Sequence, residues 1–530
     1  MKKLLLMLVA CIAAVNVSAQ DDEGWSKSFA PVADKADLDG LHTAVAADGS
    51  VFVSSTYNQA FQLGDLSVAA PEDAVTSSVV VKMDKDGVAK WAVTFYGKCK
   101  IYAMTADTDG TLYVAGRSQD AKVVATGVDG KHYEIVNPTG LDAFFEEVIK
   151  ANVAFIAKIG QDGVIQVVKT IQPEVNAAIA AIVGDPYEMG MEMSIYDLSA
   201  NDPCSVIPSK LVIDGDKLYV AATYTGDVPA LGWKGAYLNY YGMDMMIFDV
   251  RSVGVFSLNK SDLDNPASAA YIMATETVQT MSQFYPEAVD FVVYGGVPHV
   301  AFFGFGNLTM TTAAGSQDFS FAVGEEDTEH ALVLANVNAP QQPKVFHAAA
   351  NTNVYPIYNL DDAALAGDNC IMAGTFYGNF PLDNTVTKEH NASFVASIKM
   401  SDCSVNWAKA NEKESEAKCM VVTGEEIHAS TADALYTFRT SDGDLKQTQN
   451  QGYADAAQCN DQYVSTVRAD ENNVVVFCPK LKTSGINETE ALNSAAARYY
   501  NLNGVELSAP QKGLNIVKTT NGQTQKRVVR

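Results

Sequence analysis

After Gln20 the sequence contains no run of 18 apolar residues, so no helix of it is built to cross a bilayer. Positive charge is also scarce, with 37 Lys and Arg against 63 Asp and Glu, for a net charge of −26. This deficit excludes the clustered bases that phosphate contacts require. Nucleic acid and anionic membrane surfaces are therefore poor partners. Cysteines are few and scattered, with no CxxC and no zinc spacing, which leaves buried small hydrophobes as the plain reading and one or two disulfides as the alternative. The seven histidines (42, 132, 299, 330, 347, 390, 428) form no HxH and no HExxH. GxSxG elbows and P-loops are absent too, so no metal site or cofactor is expected. The Asp-rich stretches DKDG (84–87) and DTDG (107–110) lack the further oxygen ligands of a calcium loop and read as hairpin turns. Paired carboxylates for glycoside hydrolysis stay open, because 63 acids make chance pairs inevitable.

What the chain does have begins with a targeting segment. Lys2 and Lys3 precede an apolar stretch, LLLMLVACIAAV (4–15), and small residues lead to a cleavage site between Ala19 and Gln20. A lipobox around Cys11 is the rival reading. Either way the chain is expected to be exported, to the periplasm, the outer-membrane surface or the exterior. With hydrophobic residues at 48%, core material is ample.

The strongest signal is repetition. A Gly turn followed by an alternating apolar run recurs as DGSVFVSSTY (48–57), DGTLYVAGRS (109–118) and DGDKLYVAATY (214–224). A strand–turn–strand unit follows in SVVVKMDKDGVAKWAVTF (78–95), AFIAKIGQDGVIQVVKTI (154–171) and SFVASIKMSDCSVNWAKA (393–410). Each repeat supplies about four antiparallel strands with no helix between repeats, which predicts an all-β propeller. Second strands marked by Phe52, Tyr113, Tyr219, Val300, Ile371, Ile427 and Tyr463 give seven blades, although uneven spacing also admits six or eight. The last unit (453–479) stops after three strands, and WSKSF (25–29) repeats the spacing of WAVTF (91–95), so the N-terminal strand should close the ring. Trp25, Trp91 and Trp407 then mark fourth strands and pack between blades.

The segments 79–95, 154–171 and 394–410 resemble the β-propeller repeats of secreted Bacteroidetes proteins. The C-terminal segments YYNLNG (499–504), KGLNIV (512–517) and NGQTQKRVV (521–529) are similar to the end of the sorting domain read by type IX secretion systems. This resemblance implies a cell-surface address and contact with the secretion machinery; a basic tail without an address is the alternative. From Gln511 to Arg530 there are five basic residues and no acid, against an acidic body. The expected organisation is a signal peptide (1–19), a propeller (20–480), a linker (481–497) and a sorting-like tail (498–530).

Long connections between second and third strands (58–77, 119–152, 226–252, 306–329, 378–391) should emerge as loops on one face, where binding usually resides. Residues 141–152 read there as a short amphipathic helix. In LGWKGAYLNYYGMDMM (231–246), Trp233, Tyr237, Tyr240 and Tyr241 are the candidate stacking platform for sugar or peptide, with a buried cluster beneath the loop as the alternative. The expected role is noncatalytic binding of protein or glycan. A polysaccharide-active propeller enzyme, with carboxylates in its central funnel, is the alternative, and charged side chains at the axis would favour it.

Overall fold

Period-two alternation becomes antiparallel strand throughout the computed structural model. Residues 24–479 are described with interruptions, the longest being 177–203, 240–246, 279–287 and 349–356, together with four strands between 498 and 529. The only helical segments among the described residues are three 3₁₀ turns, Lys35–Asp37, Glu72–Ala74 and Pro229–Leu231. The chain divides into two units, Met1–Leu481 and Lys482–Arg530.

The first unit is a β-propeller of seven four-stranded blades, spanning 42–96, 99–171, 205–274, 288–348, 357–410, 417–449 and 456–479. The seventh blade has three strands of its own and takes Gly24–Phe29 as its fourth, paired antiparallel from Gly24↔Pro479 to Phe29↔Val474. Ring closure thus removes the free edge that Asn473–Pro479 would otherwise present. The second unit is a small antiparallel sheet ordered Glu506–Leu507, Arg498–Tyr500, Gly513–Lys518, Thr524–Val529. The signal segment, including Ala19 and Gln20, lies outside the described residues.

Cores lie between blades. Fully buried Phe95 and Phe155 stack at 5.3 Å between blades 1 and 2, and Phe303 and Tyr358 do so at 5.2 Å between blades 4 and 5. Six of the seven blade interfaces carry such an apolar cluster among the described residues. The interface of blades 6 and 7 does not. There the contacts are polar: Ser430 Oγ donates to the Ala454 carbonyl at 2.9 Å, and the Cys459 thiol lies 3.2 Å from the Val422 carbonyl.

The tryptophans act between blades as expected, through one repeated contact. Each indole N–H donates to a carbonyl in the third-to-fourth-strand turn of the next blade: Trp25 to Lys85 (2.9 Å), Trp91 to Gln161 (3.0 Å) and Trp407 to Thr440 (3.1 Å). Each ring also lies against that turn's glycine. At Gly443, where φ is +69°, a Cβ would come within 2.5 Å of the Trp407 ring. The DKDG and DTDG stretches are hairpin turns, with Gly87 and Gly110 N–H bonding back to Asp84 and Asp107.

The long connections depart from the expected loops. Hairpin Lys122–Thr126/His132–Val136, from blade 2, adds two strands to the outer edge of blade 1. Asn307–Thr312/Gly315–Ser320, from blade 4, does the same for blade 3. The cause is alternation within the insertions, which buries Val123, Ala125 and Ile135 in one case and Leu308, Met310 and Phe319 in the other. The helix expected over 141–152 is replaced by strands Gly140–Asp142 and Val148–Lys150, in keeping with the β-branched Val148 and Ile149; residues 143–147 lie outside the described set.

Candidate functional site

Seven inner strands surround the propeller axis: His42–Val45, Cys99–Ala106, Ser205–Asp214, Ala288–Tyr294, Ile357–Ala366, Ala417–Thr423 and Ala456–Cys459. All seven line an open axial chamber of about 670 Å³. Four of them are interrupted by a β-bulge at a comparable level, which leaves Tyr102, Ser209, Asp361 and Lys418 outside the ladder. All four of these residues line the chamber. A bulge re-aims a side chain that the pleat would otherwise direct between blades. At the third bulge, Gly374 on the facing strand makes room, since a Cβ there would sit 2.1 Å from the Asn359 carbonyl.

Two lysines and five carboxylates line the chamber, and Lys210, Asp290, Asp361 and Asp362 form the cluster described here. Lys210 of blade 3 reaches Asp290 of blade 4 at 2.8 Å and Asp362 of blade 5 at 3.1 Å, and it also donates to the Ala363 carbonyl. Burial pulls the Lys210 ammonium down, but Asp290 and then Asp362 outweigh it, so the group stays raised and charged. Burial pushes the Asp290 carboxyl up against the pull of Lys210. Both carboxylates also accept backbone N–H bonds, Asp290 from Phe291 at 2.6 Å and Asp362 from Met420 at 3.2 Å.

Asp361 differs. It is exposed within the lumen, accepts a long bond from Thr375 Oγ1 at 3.4 Å, and has no cation within 4 Å among the described residues. The surrounding walls push its carboxyl up to about 7; Asp362 adds to this while Thr375 and Lys418 oppose it. His42, on the blade 1 wall, is pushed down to about 4 by burial, with Lys100 adding to the effect, and is neutral at neutral pH. Gln458 ties the ring at its axis, accepting from Val45 N–H at 3.0 Å and donating to the Met104 carbonyl at 3.3 Å.

Of the platform residues singled out from the sequence, the two described ones lie elsewhere. Trp233 is 1% exposed: its indole N–H donates to Ser268 Oγ at 2.8 Å, and its ring packs against Tyr224 at 4.8 Å. Tyr237 is buried as well, so neither ring offers a face to a ligand and the buried cluster describes this pair. The physical reason is local. Val228 and Trp233 pair across the Pro229–Leu231 turn, folding the indole back onto blade 3. Tyr240 and Tyr241 lie outside the described residues. His299 is buried and His428 half-buried within strands, both lowered by burial and bonded to Val297 and to Thr423 and Thr437 respectively. The seven described cysteines are free thiols. The axial residues left a signal that was available. SKLVID (209–214), AVDFVVY (288–294) and NLDDAALA (359–366) carry charge in first strands, where only small or apolar residues serve packing.

No protein-family model matches this sequence, and none of the curated proteins does. Among solved structures, the chain is similar to the β-propeller domain of Cps50 (Swd1) from Myceliophteria thermophila. Identity is 7%, coverage 83% of this chain and 96% of that one, and the TM-score 0.37. It is also similar to BamB from Moraxella catarrhalis, at 10% identity, coverage of 86% and 100%, and a TM-score of 0.35. Likenesses this distant carry no functional argument.

Proposed function

We propose that the chain is a noncatalytic binding module, an exported propeller that engages protein or glycan in the cell envelope or outside it. The observation that carries this reading is Lys210. By holding Asp290 and Asp362 together, it occupies two of the carboxylates that share the chamber with Asp361. Glycoside hydrolysis needs two carboxyl groups free to act on one bond, and of the five that line the chamber Lys210 ties up two, leaving Asp361 with Asp214 and Asp455 on other blades. An open chamber whose adjacent carboxylates are tied into one ion pair suits recognition better than acid–base work.

The second reading, a polysaccharide-active enzyme, is favoured by one feature. Charged groups do cluster at the axis, and a carboxyl held near 7 is poised as a proton donor. Binding of the mature protein to an array of envelope proteins and glycans tests the first reading. Selective retention of array members supports it, and retention of none counts against it. The address is part of the same proposal: residues 498–530, within the Lys482–Arg530 unit, serve as the sorting tail, and removal of the tail with its linker should change where the protein accumulates in cell fractions.

A further inference from the structure

We propose that the axial chamber is a receptor for a cationic side chain, a lysine or arginine on an extended segment of a partner polypeptide, with its head at Asp361 and its alkyl stem along the chamber wall. This rests on the binding-module reading and supplies the partner chemistry that reading leaves open.

Four observations converge. The chamber, at about 670 Å³, has the size of a ligand pocket rather than a packing defect. Its wall includes apolar residues that stay partly exposed, among them Val212, Val289, Val293 and Val422. Asp361 stands in the lumen because a bulge puts it there, and it is the carboxylate of the cluster that Lys210 does not hold. Finally, charge in the chamber is unbalanced. Around Asp361 stand Asp362 on its own strand, Lys418 on blade 6 with Glu416 just before it, Asp455 leading into blade 7, and Asp290 on blade 4 with Lys210 and Asp214 on blade 3; His42 and Tyr102 line the chamber from blades 1 and 2. The carboxylates outnumber the lysines, and His42 is neutral. A neutral sugar would leave this imbalance uncorrected, whereas a guanidinium or ammonium corrects it with a charge-assisted bond.

The raised Asp361 carboxyl is consistent with a site that a cation would stabilise. Its walls cost it hydration, and Thr375 and Lys418 offset that cost only in part. A ligand that binds the ionised form must expel a proton below about pH 7, so binding strengthens as pH rises through that value.

The test uses the full mature chain and isothermal titration with an acetylated, amidated alanine pentapeptide carrying one central arginine. The same peptide with lysine, the same with neutral citrulline, and calcium chloride are run beside it. Arginine or lysine peptide should bind with a Kd below about 1 mM. Citrulline should bind at least about tenfold more weakly, and Asp361→Asn should lose about the same factor without loss of folding. From about pH 6 to about pH 8 the wild-type affinity should rise up to about tenfold, and the variant's should not. Equal binding of arginine and citrulline, unchanged binding by Asp361→Asn, or no peptide binding at all overturns the proposal. Asp361-dependent binding of calcium without peptide overturns it in favour of a metal site. If array ligands are held equally by wild type and Asp361→Asn, the binding-module reading stands and the axial receptor falls. If wild type holds neither peptide nor array member, both fall.

Discussion

Replacing Trp91 by Ala removes one of the three indole contacts that join successive blades, and its cost can be worked from the structure. Trp91 is 6% exposed, lies 5.7 Å from the Phe52 ring, and donates to the Gln161 carbonyl at 3.0 Å. Truncating a buried aromatic to Ala costs about 3–5 kcal/mol, through lost apolar burial and the cavity left behind. Trp91→Phe separates the contributions. It keeps most of the ring contact and loses the hydrogen bond, but the Gln161 carbonyl stays satisfied because Lys82 Nζ also donates to it at 3.0 Å. With no orphaned carbonyl, Phe should cost about 1–1.5 kcal/mol, most of it the missing hydrogen bond. Urea unfolding followed by far-ultraviolet circular dichroism reads both values from the shift in midpoint. Trp91→Ala within about 0.5 kcal/mol of wild type, or Phe as costly as Ala, would refute the account of this contact.

Other outcomes follow from the ring's construction. Deleting residues 20–30 removes the strand Gly24–Phe29 from blade 7, so melting should fall and the exposed edge should drive association; a monomer with unchanged melting would count against closure. Blades 6 and 7 meet without an apolar cluster among the described residues, and every residue of Leu445–Gln449 is exposed. Hydrogen exchange should therefore be fastest, among blade strands, in Leu435–Arg439 and Leu445–Gln449, and protection there equal to that of Ser252–Asn259 in blade 3 would contradict this. Asp361 holds its proton up to about 7 when folded and releases it near the ordinary carboxylate value when unfolded, so it withdraws stability as pH rises from about 4 to about 7. His42, lowered to about 4, adds stability as pH rises from about 4 to about 6.5. In the melting curves, Asp361→Asn should gain on wild type between about pH 5 and about pH 7.5, and a constant gap would rule the shift out.

The fold was legible because its determinants are local. Period-two runs ending in Asp-Gly turns announce hairpins, and the shared spacing of Trp25–Phe29 and Trp91–Phe95 betrays the strand that closes the ring. What was not legible depends on register and on distance through the sequence. A bulge is one extra residue in a strand, and nothing in NLDDAALA marks Asp361 rather than Asp362 as the residue outside the ladder. Lys210 meets Asp362 across 152 positions of sequence, a pairing that only the closed ring creates. The aromatic run at 231–246 misled for a related reason. Composition marks Trp233 as a good ligand platform and as a good core residue equally well, and the short turn before it decides for the core. Insertions such as 119–152 look like loops until their alternation finds an open blade edge to extend.

The central claim, that the axial chamber binds and does not catalyse, is tested most directly by reducing-end release from a panel of envelope and extracellular polysaccharides, comparing wild type with Asp361→Asn. The account predicts no release by either protein above a boiled control, because Lys210 keeps Asp290 and Asp362 from serving as the second carboxylate. Release by wild type that disappears in Asp361→Asn would contradict it and make the chamber an active site.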